Sequence, residues 1–195
     1  RGVGRSSGDP DEDYSLERMS LDFEEIREAL GYDSWLTLGH SFGGVLQMGY
    51  VEKYPEAIKG MIMVNCTLKM AESFCDSWSP KASEFTGVID NTPCDSREDI
   101  TLKLGNHIKN LREKDLFWKM GYTLKENEKI MDASYHEIQN WNGSFGNIAF
   151  DIEDFWQDFK VKTPTVNVPV LFFYGSKDWM VGPNHYQGIN FSNQM

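Results

Sequence analysis

The stretch Trp35-Leu36-Thr37-Leu38-Gly39-His40-Ser41-Phe42-Gly43-Gly44-Val45-Leu46-Gln47-Met48-Gly49-Tyr50 decides how the rest of the chain is read. A short apolar run over 35–38 meets a serine bracketed by glycines. A helix follows from 43 to 54, where Pro55 closes it. Gly39-x-Ser41-x-Gly43 is the spacing of a strand–turn–helix elbow that holds a serine at strained backbone angles. Small residues two places before and after Ser41 let strand and helix approach closely, and Gly44 adds room. Such a turn exposes Ser41 Oγ above the sheet beside a helix N-terminus. It also aims the Phe42 backbone N–H at the oxygen of an attacked carbonyl. Three fixed positions in five recur by chance, so an ordinary glycine turn is the competing reading. The flanking strand and helix favour the elbow.

Outward from the elbow, Leu16, Met19, Phe23, Ile26 and Leu30 recur at steps of three and four. They predict an amphipathic helix from Ser15, stopped by Gly31 at the position of a C′ glycine. Gly60–Asn65 reads as a strand apolar on both faces, and Val168–Gly175 as another. Strands without alternation, separated by helices, mark a parallel sheet covered on both sides. Residues 67–165 lose that rhythm. Ser96 with Asp99 three places on forms a near capping box, and Ile100, Leu104, Ile108 and Leu111 follow at helical spacing. A further helix is expected to carry Ile130, Met131, Ser134, Ile138 and Trp141. Phe145, Phe150, Phe155, Trp156 and Phe159 form an aromatic tract, read as the core of this segment, with a substrate-facing wall as the alternative. The expected organisation is a sheet core from 1–66 and 166–195, with a helical cap inserted at 67–165.

Gly39-His40-Ser41-Phe42-Gly43-Gly44 resembles the nucleophile elbow of the α/β-hydrolase fold. Arg1-Gly-Val-Gly-Arg-Ser-Ser resembles that family's loop after its fourth strand. Tyr54-Pro55-Glu56 and the following apolar strand resemble its passage into strand six, and Val168–Asp178 resembles the strand and loop that present the triad acid. Within the fold, the proline iminopeptidase group is nearest in tone. The resemblance implies a serine hydrolase with Ser41 as nucleophile, Phe42 N–H in the oxyanion hole and Asp178 as the acid that orients a histidine base. Asp178 lies three residues past a buried strand, at the sheet edge where such folds keep their sites. The alternative acid position, after strand six, reads Asn65-Cys66-Thr67-Leu68 and holds no carboxylate. Dehalogenases and epoxide hydrolases of this fold carry aspartate at the elbow, so acyl transfer from an ester or amide is the implied reaction, with no metal or organic cofactor. Glu137, Glu153 and Asp154 are candidates to hold a peptide's free amine by composition alone. The usual iminopeptidase elbow has tryptophan and a second serine, whereas this one has Phe42 and Gly43. A carboxylesterase, or another hydrolase of small carbonyl compounds, is therefore the alternative. A non-catalytic fragment or degenerate binding protein is a third reading.

The base is harder to place. His40 should pack beside the elbow, away from Oγ. His107 and His136 read as surface residues of the inserted helices, and His185 follows Asp178 by only seven positions. The family places its histidine later, so the expectation is that the base, like the second oxyanion donor, lies outside this sequence. The family's strands one to four are expected to lie outside it too, which would leave an unpaired sheet edge.

Composition narrows the partners. A net charge of −11 argues against nucleic acid and against an anionic membrane surface, because both recruit surplus Lys and Arg. No apolar run approaches the ~20 residues of a membrane-spanning helix. Three cysteines without C-x-x-C spacing read as reduced thiols of a cytoplasmic protein, with one disulfide and a spare thiol as the alternative. A small molecule or short peptide is the expected substrate.

Overall fold

Strand β1 (Trp35–His40) runs parallel to β2 (Ile58–Val64), with Leu38 opposite Ile62 and His40 opposite Val64. Strand β3 (Val170–Phe173) adds to the far side of β2, giving the order β1-β2-β3. The computed structural model describes residues 1–193. The expected apolar run 168–175 is paired only over the four residues of β3. Helix α1 (Leu16–Ala29) starts where the sequence places it, with the Ser15 hydroxyl accepting from the Arg18 N–H. It ends at Gly31, whose φ of +73° is the left-handed value a C′ glycine supplies. Helix α2 (Gly43–Lys53) connects β1 to β2 and buries seven of its residues, Val45, Met48 and Val51 among them. Those side chains join Met61, Met63, Leu68 and Val170 in the main core.

The other side of β1 is an edge. Leu36 and Leu38 are 65% and 70% exposed there, in an apolar groove that also includes Phe23, Trp35 and Leu46.

Between β2 and β3 the chain is helical. α3 (Met70–Glu72) passes into a π-helical stretch at Ser73–Trp78 and then α4 (Ser79–Thr86), which Gly87 ends in a left-handed cap. α5 (Arg97–Glu113) has the expected cap: the Ser96 hydroxyl accepts from the Asp99 N–H at 3.1 Å and donates to its carboxylate at 2.8 Å. α6 (Lys125–His136) and α7 (Ser144–Ile148) complete the segment. Trp78, Ala82, Leu104, Leu111 and Met120 form a second core there.

Four expectations are corrected. α6 ends at His136, short of Ile138 and Trp141, and buries none of its residues; Ile130 is 66% exposed. His107 is not a surface residue but is fully buried, edge-on to Trp78. Neither ring nitrogen has a hydrogen-bond partner among the described residues, and burial lowers its pKa. Phe155 and Phe159 belong to the core of the sheet rather than to that of the inserted segment, because the chain after α7 folds back under the elbow. Finally, Cys75 and Cys94 form a disulfide, leaving Cys66 as a buried free thiol.

Candidate active site

Ser41 takes φ +53°, a left-handed value that costs a residue with a Cβ of order 1 kcal/mol or more. Main-chain bonds hold it there. The Ser41 N–H donates to the Val64 carbonyl at 3.2 Å, and the Thr67 N–H donates to the Ser41 carbonyl at 3.0 Å. The turn after β1 is therefore stitched to the turn after β2. Phe42 is the N-cap of α2, where backbone N–H groups precede the helical ladder. Its ring packs edge-on against Phe155 at 4.9 Å and tilted against Phe145 at 5.6 Å, so the aromatic tract anchors the elbow from below.

The glycines divide unequally. A Cβ on Gly44 would lie 2.5 Å from Cys66 Cβ and 3.0 Å from the Thr67 carbonyl oxygen. One on Gly39 would collide with the Gln47 amide and sit 2.9 Å from the Gly43 carbonyl carbon. Nothing lies within 4 Å of a Cβ on Gly43. The close approach thus depends on Gly39 and Gly44, and the expectation that Gly43 is needed for space is not met.

Asp178 stands in the loop after β3, closed by its own N–H to the Gly175 carbonyl at 3.1 Å. Its Oδ1 accepts from the Met180 N–H at 2.9 Å and from the Val181 N–H at 3.3 Å. Burial pushes the carboxyl above the ordinary carboxylate range; the two N–H donors, His40 and Asn65 pull the other way. Ser41 and Asp178 face one cavity of about 700 Å³, which Asn65 also lines, with Phe117, Tyr122 and Met131 reaching in from the inserted segment.

The histidines fall differently from expectation in one further case. His40 does not pack away beside the elbow: it is exposed, lines the same cavity, and lies close enough to Asp178 to favour its charged form. The cause is strand alternation, which turns it away from the buried Gly39. His136 is exposed as expected. His185 is only 3% exposed and lines no part of the Ser41 cavity. Its Nε2 accepts from the Leu68 N–H at 2.9 Å, while Nδ1 lies 3.3 Å from the Ser73 hydroxyl and 3.4 Å from Glu72. Burial lowers its pKa to about 3, so it is a neutral strut joining the chain after Asp178 to the start of the inserted segment. Sequence spacing offers no signal for that role, because its partners are more than a hundred residues away. Asn65 stands out in the sequence only as a position without a carboxylate, yet it touches the Asp178 loop directly.

A strand–serine turn–helix, an acid after the next strand but one, and a shared cavity between them make a recognisable set. A family model of the alpha/beta hydrolase fold matches residues 1–194. The chain belongs to the α/β-hydrolase fold family. Its relatives within that family are distant. A proline iminopeptidase of Saccharolobus solfataricus is 26% identical over 189 residues, covering 91% of this chain and 58% of the relative. The crystal structure of a proline iminopeptidase-related protein from Thermus thermophilus superposes with TM-score 0.73 at 19% identity, over 94% of this chain and 62% of that one. An N-acyl homoserine lactone degrading enzyme superposes with TM-score 0.68 at 17% identity, over 100% and 69%. This α/β-hydrolase chain thus spans about three fifths of the length of these two iminopeptidase relatives. Among its described residues, no group of three His, Cys, Asp or Glu side chains could hold a metal ion, and no helix is long and apolar enough to cross a membrane.

Proposed function

We propose that this chain carries the nucleophile and the triad acid of a serine hydrolase that cleaves an ester or amide through an acyl-enzyme on Ser41. One observation carries the reading: Ser41 sits at φ +53° on the turn into α2 and shares a cavity with Asp178. In this scheme Ser41 Oγ adds to the carbonyl carbon, the Phe42 N–H takes up charge on the carbonyl oxygen, and the alcohol or amine leaves. Water then displaces the acyl group from Ser41. Asp178 orients the imidazole that moves the protons. No general base is assigned within the described residues. The inserted segment serves as a cap, through Phe117, Tyr122 and Met131.

A proline iminopeptidase-like aminopeptidase is supported by the names of the relatives. The carboxylesterase reading is favoured by the cavity itself. Asp178 is the one carboxylate among its lining residues. Glu137, Glu153 and Asp154 are exposed and line no part of it, so among the described residues no second acid waits there for a substrate's free amine. Turnover by the full-length gene product of a proline arylamide against a p-nitrophenyl ester, with Ser41→Ala as control, separates the two. Preference for the ester upholds the second reading; preference for the arylamide upholds the first. Loss of neither activity in Ser41→Ala overturns both. The cytoplasmic placement loses its support from reduced thiols, since a Cys75–Cys94 bond persists best in an oxidising compartment.

A further inference from the structure

Asn65 follows the last residue of β2 with φ +46°, a left-handed value that asparagine tolerates better than most residues with a Cβ. Its backbone N–H continues the ladder to the Phe173 carbonyl at 2.8 Å. Its side-chain Oδ1 accepts from the Gly175 N–H at 2.9 Å. With the amide oxygen held there, the NH2 end remains beside the same loop, and the Asn65 side chain favours the charged form of Asp178. Gly175 lies at the centre of this contact: a Cβ on it would be 3.4 Å from Asn65 Nδ2 and 3.6 Å from Asp178 Cβ. On its other side, the turn that begins at Asn65 is stitched to the elbow through Val64 and Thr67. Asn65 therefore stands between the two loops, joined to that of Asp178 by its amide oxygen and to that of Ser41 through its main-chain neighbours, and it lines their cavity.

We propose that Asn65 is a positioning residue whose amide holds the loop of Asp178, and so its carboxylate, on the wall of the cavity that Ser41 lines. The proposal rests on the serine-hydrolase reading for its purpose, but not for its test. An amide suits the place because its oxygen accepts from the Gly175 N–H while its NH2 end brings no negative charge toward Asp178. Aspartate there would set two carboxylates side by side, each disfavouring the other's charge. The other titratable groups around Asp178 are His40 from β1, Tyr174 at the end of β3 and Lys177 of its own loop.

The test is a carboxyl ¹³C NMR titration of Asp178, its resonance identified by its loss in Asp178→Asn. Asn65→Gly removes the amide while easing the left-handed backbone, so that the variant folds. The Asp178 midpoint is expected to rise by up to about one pH unit, because a polar group that favours the carboxylate is lost and its loop loses that anchor. Asn65→Asp is expected to raise it further. A midpoint unmoved in folded Asn65→Gly, or lowered in Asn65→Asp, would overturn the proposal. Labelling of Ser41 by a fluorophosphonate is scored separately: its failure would sink the hydrolase reading and leave the Asn65–Asp178 coupling standing.

Discussion

The turn around Ser41 and the helix α6 face each other across one cavity, and they are built on opposite terms. At the sheet edge, residues 39–44 and 64–67 are joined by main-chain hydrogen bonds, and glycines at 39 and 44 admit contacts no side chain would allow. Ser41 and Asn65 are both held at positive φ because that surrounding mesh over-determines them. α6 also borders the cavity, through Met131, yet none of its residues is buried and its Ile130 stripe lies in the open. The cavity thus has one fixed wall and one loosely held wall. At Ser41 strain is stored where packing can hold it, and the opposite wall of the cavity is drawn from less stable structure.

The largest expected effect tests how firmly the fixed wall is tied to the inserted segment. His185, neutral and buried, makes that tie. Its folded pKa of about 3 lies below the ordinary 6.5. Its full contribution is therefore present above pH 6.5 and is lost progressively as pH falls toward 3, a change worth several kcal/mol. Urea midpoints measured across that window should fall steeply in the wild type. They should fall less in His185→Gln, which can still accept from the Leu68 N–H. Equal slopes would show that His185 makes no such tie. Next in size is the contrast within the elbow. Gly44→Ala forces a Cβ against Cys66 and the Thr67 carbonyl and should cost about 1–3 kcal/mol. Gly43→Ala meets open space in the first turn of α2 and should be neutral, or stabilising by up to about 1 kcal/mol. Thermal melts of the pair check this, and a similar loss in both would contradict the geometry. The smallest effect belongs to the loose wall: Ile130→Gln should change stability by no more than about 0.5 kcal/mol, by the same melts.

Much of the fixed wall is legible in the sequence, because steric rules write themselves as short spacings. Gly39, Ser41 and Gly44 declare a close turn, and Asp178 declares itself by following a strand that is apolar on both faces. Gly43 misleads because the symmetric motif does not say which glycine is crowded. The inserted segment is legible only where its face is buried. α5 announces its cap through Ser96 and Asp99. His107 sits three residues after Leu104 and four before Leu111, on the same stripe, so the spacing does carry a signal for its burial, which its polarity masks. α6 shows a helical stripe without saying that Ile130 stays in the open. The roles of His185 and Asn65 depend on partners brought close only by the fold, and local spacing carries no trace of them.

The hydrolase reading of this cavity depends on Ser41 being the nucleophile of an acyl-transfer site. Intact-mass analysis and peptide mapping of the full-length gene product after treatment with a fluorophosphonate decide that point. One adduct on Ser41, absent from Ser41→Ala, is the expected result; no adduct on folded protein, or an adduct that survives Ser41→Ala, would contradict it.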